Sequence, residues 1–201
     1  KTTDEEKTST KKALLNKDFR QALAFGFDRT AYASQVNGAS GATKLLRNLF
    51  VPPTFVQADG KNFGEMVKDK LVTYGDEWSN VNLDDAQDGL YNPDKAKAEF
   101  AKAKTALQAE GVQFPIHLDL PVDQAAKPTV ARAQSLKQSV EKTLGKENVV
   151  VDVHQMSQDV EQLRYSIGEM ETLKVGPGTS VREVQGVFSE WGRWRYSMTD
   201  S

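Results

Sequence analysis

The chain has 201 residues, 27% of them charged, and a formal net charge of -2. Neither sign dominates, which excludes an electrostatic case for nucleic acid or an anionic membrane as partner; no apolar run approaches the ~18 residues of a membrane span. Cysteine is absent, which excludes disulfides, zinc–thiolate sites and thiol nucleophiles, and the two histidines, His117 and His154, are too few for a metal site of their own.

The length suits one domain with a proper core, or a domain with appendages. No signal peptide precedes Lys1, and the polar start is that of an excised fragment or a mature product. Residues 1–15 are charged and weakly periodic. Thr2 with Glu5, or Thr3 with Glu6, offers a capping box for a short helix with few apolar anchors, prone to fraying. Residues 18–36 are stronger. Phe19, Ala22, Leu23 and Phe27 form an apolar stripe behind an Asp18/Gln21 capping pattern, and Gly26 weakens it by about 1 kcal/mol relative to Ala. Asp28 and Arg29 sit inside the pattern, as a local salt bridge or a cap joining two helical pieces.

Gly38 and Gly41 among small polar residues predict a loop over 37–42. Residues 47–53, ending in Pro52-Pro53, are extended. An apolar extended stretch either lines a cleft or simply crosses the surface as a packed connection. Residues 63–71 read as a helix. Residues 74–89 are acidic, but their spacing does not match a calcium loop, so they read as a solvated loop.

Residues 90–156 organise the chain. Asn92-Pro93-Asp94 is a helix start, Ala96, Phe100, Ala103 and Leu107 share one face, and Gly111 is a stop. Phe114, Ile116, Leu118 and Leu120 alternate with His117 and Asp119 as in a strand, with pairing expected to end near Pro115 and Pro121. A second helix begins at Pro128, buries Ala133, Leu136, Val140 and Leu144, and stops at Gly145. Val149 to Val153 then form a β-branched strand. The crossover is long enough for a parallel, right-handed βαβ unit. The fold class is therefore α/β: an open sheet with a βαβ unit flanked by helices.

Residues 17–29, KDFRQALAFGFDR, resemble the "DvRqAlayAiDR" signature of extracytoplasmic solute-binding proteins, family 5, which serve peptide ABC importers. LYNPDKA at 90–96 resembles their "yDPekAk" motif. RNLFVPPTF at 47–55, YGDEW at 74–78 and FPIHLDLPVDQ at 114–124 are similar to the streptococcal oligopeptide-binding lipoproteins in particular. The resemblance covers residues 1–158 and implies lobe II of a periplasmic-binding-protein-like (type II) fold: the central lobe of a receptor that closes over a short peptide and delivers it to a membrane permease. It implies a monomer at the extracellular face of a Gram-positive cell membrane, tethered by a lipid on a cysteine that this chain does not contain. After Ser157 the chain departs from the pattern. The family's Trp-containing segment, whose acidic residue holds the peptide's amino terminus, is not found in it. The chain thus divides into a partial peptide-binding lobe, 1–158, and a divergent segment, 159–201, and is expected to be a receptor fragment with weak affinity or a degenerate copy acting as a scaffold.

Asn48 and Phe50, in the extended apolar segment, are the candidate peptide contacts. No cofactor, metal ligand or catalytic residue is assigned. His117 and Asp119 share a strand face, an arrangement that orients a histidine, but no nucleophile signature accompanies them. Phe188, Trp191, Trp194 and Tyr196, interleaved with Arg193 and Arg195, read either as an interaction or sugar-stacking surface or as aromatics packed on a core or in a disordered tail.

Overall fold

The structure is a computed structural model that describes residues 3–157. The expectations for residues 159–201, including the aromatics at 188–196, lie outside the described residues.

Helix α1 (Asp4–Leu15) starts on a capping box in which Glu6 N donates to Thr3 Oγ1 at 3.1 Å, so the second of the two sequence alternatives forms. Its inner face is polar. Thr10 Oγ1 donates to His117 O at 2.9 Å, Ser9 Oγ accepts from Gln113 N at 3.0 Å, and Lys12 Nζ donates to Glu110 O at 2.8 Å. Hydrogen bonds to backbone thus anchor a helix that lacks an apolar stripe.

Helix α2 (Lys17–Gly26) is capped by Asn16, whose Oδ1 accepts from Phe19 N at 2.9 Å, rather than by Asp18. Asp18 lies inside the first turn, where its charge favours the helix dipole. Gly26 ends α2 at a close crossing, where an added Cβ would already touch Ala96 and Thr143 at 3.5 Å. Phe27 is extended, and Asp28 caps α3 (Arg29–Gly41) by accepting from Ala31 N at 2.9 Å. The loop expected over 37–42 is instead helical as far as Gly41. Gly38, at φ 68° and ψ 169°, is non-helical, so two helical pieces meet there across a kink.

Strands β1 (Gln57–Ala58) and β2 (Lys61–Asn62) form a small antiparallel hairpin that leads into α4 (Phe63–Leu71), and short helical turns follow at Val72–Tyr74 and Asp76–Trp78. Helix α5 (Pro93–Ala109) opens as its sequence predicts. Asn92 Oδ1 accepts from Lys95 N at 3.0 Å, and Pro93 takes the first turn. Its face of Ala96, Phe100, Ala103 and Leu107 is buried against α2. Phe100 lies 6.2 Å from Phe19 and 6.0 Å from Phe114, ring centre to ring centre, while Phe25 lies 5.1 Å from Trp78. Each buried phenylalanine is worth about 1.5–3 kcal/mol over leaving it exposed.

Strand β3 (Ile116–Asp123), helix α6 (Lys127–Leu144) and strand β4 (Val149–Met156) form the parallel βαβ unit, in the register Ile116↔Val149 through Asp123↔Met156. Ile116, Leu118 and Leu120 share one face with Val149, Val151 and Val153, under α6. Pairing does not end at Pro121, which stands opposite His154. Ile116 N reaches Asn148 O and Gln124 N reaches Met156 O, so the even-numbered residues of β3 bond toward β4. Alternation turns Pro121's missing N–H to the other side, where it costs the ladder nothing. On the outer side of β4, Glu141 Oε1 accepts from Val151 N at 3.1 Å and Lys137 Nζ donates to Val151 O at 2.7 Å.

Candidate functional site

Arg29 opens α3 from a buried position and holds the segment that follows this helix. Its backbone N donates to Asp88 Oδ2 at 3.0 Å, and its Nη2 donates to Asp88 Oδ1 at 3.0 Å. Both side chains are buried, which makes this a desolvated ion pair that must satisfy its remaining polar atoms locally. They do so. Asp88 Oδ1 also accepts from Leu90 N and Tyr91 N, each at 3.0 Å, while Arg29 Nη1 donates to Arg47 O at 3.1 Å and its Nη2 to Asn48 Oδ1.

Asn48 completes the cluster. Its Nδ2 donates to Asp84 O at 2.7 Å and to Gln87 O at 3.1 Å. Ala86, at φ 62°, donates its N–H to Leu46 O at 2.9 Å. A left-handed alanine costs free energy that surrounding contacts must offset, and these clamps supply them. Gly89 closes the loop: a Cβ there would meet Asn82 O at 1.5 Å, so only glycine lets the two backbones pass. The solvated loop expected over 74–89 is therefore ordered at 82–89, and its carbonyls are the partners of Asn48.

Beyond this clamp the chain presents apolar surface. Phe50 is 52% exposed, Phe55 78% and Leu45 67%, with Val56 also outward. The two expected contact residues are thus placed differently. Phe50 lies on the surface, whereas Asn48 is buried and its whole carboxamide is spent on Arg29, Asp84 and Gln87. Sequence reasoning missed Arg29 and Asp88 as holders of this segment; the available signal was the charged pair Asp28-Arg29 at a helix start, which leaves a cation for a distant partner.

The histidines are also re-partnered. His117 Nδ1 lies 2.8 Å from Asp152 Oδ2 and His154 Nε2 lies 3.0 Å from Asp119 Oδ1, each pair running diagonally across the two strands. Asp119 and Asp152 stand directly opposite each other, and each takes one imidazole from the other strand. His117 and Asp119, which share a face, are not each other's partners. Among the described residues neither ring hydrogen-bonds a hydroxyl nucleophile, and no group of three or more metal-ligating side chains comes together. A groove of about 740 Å³ between α1 and residues 111–117 shares no lining residue with the apolar segment.

Residues 5–196 match the family described as bacterial extracellular solute-binding proteins, family 5 Middle. The chain belongs to this family. It is 77% identical over 159 residues to the oligopeptide-binding protein AliA of Streptococcus pneumoniae and 74% identical over 159 residues to the oligopeptide-binding protein SarA of Streptococcus gordonii. Each alignment covers 79% of this chain and 24% of the relative, so the chain spans about a quarter of the length of the curated relatives it matches. A crystal structure of a peptide ABC transporter's peptide-binding protein superimposes with a TM-score of 0.50 at 20% identity, over 84% of this chain and 60% of that one. That likeness bears out the α/β fold class of the periplasmic-binding-protein type. The described helices include none long and apolar enough to cross a membrane.

Proposed function

We propose that this family 5 chain is part of an oligopeptide receptor and that its apolar segment at 45–56 forms one wall of the peptide site. The observation that carries the reading is the clamp of Arg29, Asn48 and Asp88, which fixes an otherwise irregular stretch so that Phe50 and its apolar neighbours face outward. Binding clefts present apolar walls with few polar groups, and an extended peptide held through its backbone needs no more specific pocket. Phe50 touches the peptide; Asn48 serves from within, by holding the wall in place.

In this reading the partner lobe supplies the opposite wall, and the peptide stabilises the closed state by binding it preferentially. The receptor acts at the extracellular face of the cell membrane as a monomer, passes short peptides to an ABC importer permease and performs no catalysis. The names of the relatives and the family's extracellular description support this assignment.

A thermal melt of the purified chain, with and without a pool of short peptides, tests it. Binding to the native state alone raises its stability by RT ln(1 + [L]/Kd), and the transition temperature with it. An upward shift that Phe50→Ala abolishes is expected, and it will be small because one wall supplies part of the contacts. A cooperative transition that peptides leave in place, at any concentration reached, rejects the reading for this chain.

A further inference from the structure

We infer that Arg29, Asn48 and Asp88 are positioning residues that set peptide affinity without touching peptide, by holding residues 46–51 rigid. Five hydrogen bonds tie this stretch to residues outside it. Arg29 takes Arg47 O, Arg29 also takes Asn48 Oδ1, Asn48 Nδ2 takes two carbonyls of the 84–87 turn, and Ala86 N–H takes Leu46 O. All but the last depend on the side chain of Arg29 or Asn48. The stretch has no helix or strand of its own to stiffen it. Without the clamp, its ordering entropy falls due when peptide binds, and affinity drops by that amount. Lysine cannot replace Arg29, because a point charge cannot reach Asp88, Asn48 and Arg47 O in one planar fork.

The affinity half of this inference rests on the peptide-binding reading, and the rigidity half does not. Backbone order parameters of the full chain are measured by NMR for the parent, Asn48→Ala and Arg29→Lys. The parent value for 46–51 is expected near 0.85, as in rigid backbone, falling below about 0.6 in both variants while α2 and α5 stay unchanged. The same samples are titrated with an alanine–phenylalanine–alanine tripeptide. Both variants should lose affinity about tenfold, a difference of ~1.4 kcal/mol. A merely structural role would leave the dissociation constant of the folded protein unmoved. Order parameters already low in the parent, or unchanged in the variants, overturn the inference, as does local loosening with undiminished affinity. A parent that takes up no tripeptide counts against the peptide reading, and the order parameters then decide the rigidity claim by themselves.

Discussion

Helix α5 with the βαβ unit, and the segment from residue 42 to residue 91, are held together by different physics. In the first, Phe100, Leu107, Ile116, Val149 and Val151 repeat at helix and strand spacings, and stability comes from apolar area spread over many residues. In the second, regular structure is short; Trp78, Val81, Leu83 and Leu90 reach the core, and a handful of polar atoms around Arg29 fix the stretch between residues 46 and 48. The loss of one ring in distributed burial weakens the whole core, whereas the loss of the clamp's central ion is felt first in the loop it holds. Beyond the clamp, Leu45, Phe50, Phe55 and Val56 are exposed at the surface.

Four measurements sharpen or break this contrast. Phe100→Ala removes a ring that meets both Phe19 and Phe114 and should cost about 3–5 kcal/mol in denaturant unfolding. Asp88→Ala should cost about 3 kcal/mol, because it leaves the buried Arg29 guanidinium without its counter-charge. Its effect should appear first as lost hydrogen-exchange protection at Leu90 and Tyr91; a loss spread evenly over α5 would erase the distinction between the two regions. Asn92→Ala uncaps α5 and should cost about 1 kcal/mol by the same unfolding measurement.

The smallest effect concerns Glu77. Burial pushes its carboxyl up, but its own backbone amide, the Gln21 side chain and the charges of Lys102 and Lys17 outweigh this and hold it below its ordinary value. The folded state therefore binds this proton less readily than the unfolded one. Its contribution is complete above the ordinary carboxylate value and fades as pH falls through the depressed one. Glu77→Gln should flatten that acid-side decline in melting temperature; an unchanged slope would show that the carboxylate contributes nothing.

Helix α5 and the βαβ unit were legible because each signal there is local. The Asn92-Pro93 start, the i, i+4 face of α5 and the valine run each act within a few residues. Pro121 misled because sequence shows that an N–H is missing but not which edge it faces. Asn16 was overlooked as a cap because Asp18 offers a similar pattern two residues on. The clamp was out of reach for another reason: Arg29 meets Asp88 across 59 positions, and no spacing rule links a helix start to a distant loop. Asn48 looked like a contact residue because it lies in an extended apolar stretch, and only three-dimensional packing shows its carboxamide turned inward. The diagonal His–Asp pairs likewise depend on strand register, which fixes partners 35 positions apart.

The ion pair of Lys137 and Glu141 on the outer side of β4 bears on assembly. An uncovered strand is a template: its rows of amides and carbonyls invite the next extended segment, from this chain or another, and repeated additions make fibres. At Val151 an incoming strand meets an ammonium and a carboxylate already seated on both main-chain groups. To add itself there it would have to displace both contacts from Val151. At Val151, growth of the sheet in that direction is opposed by two side chains one helical turn apart.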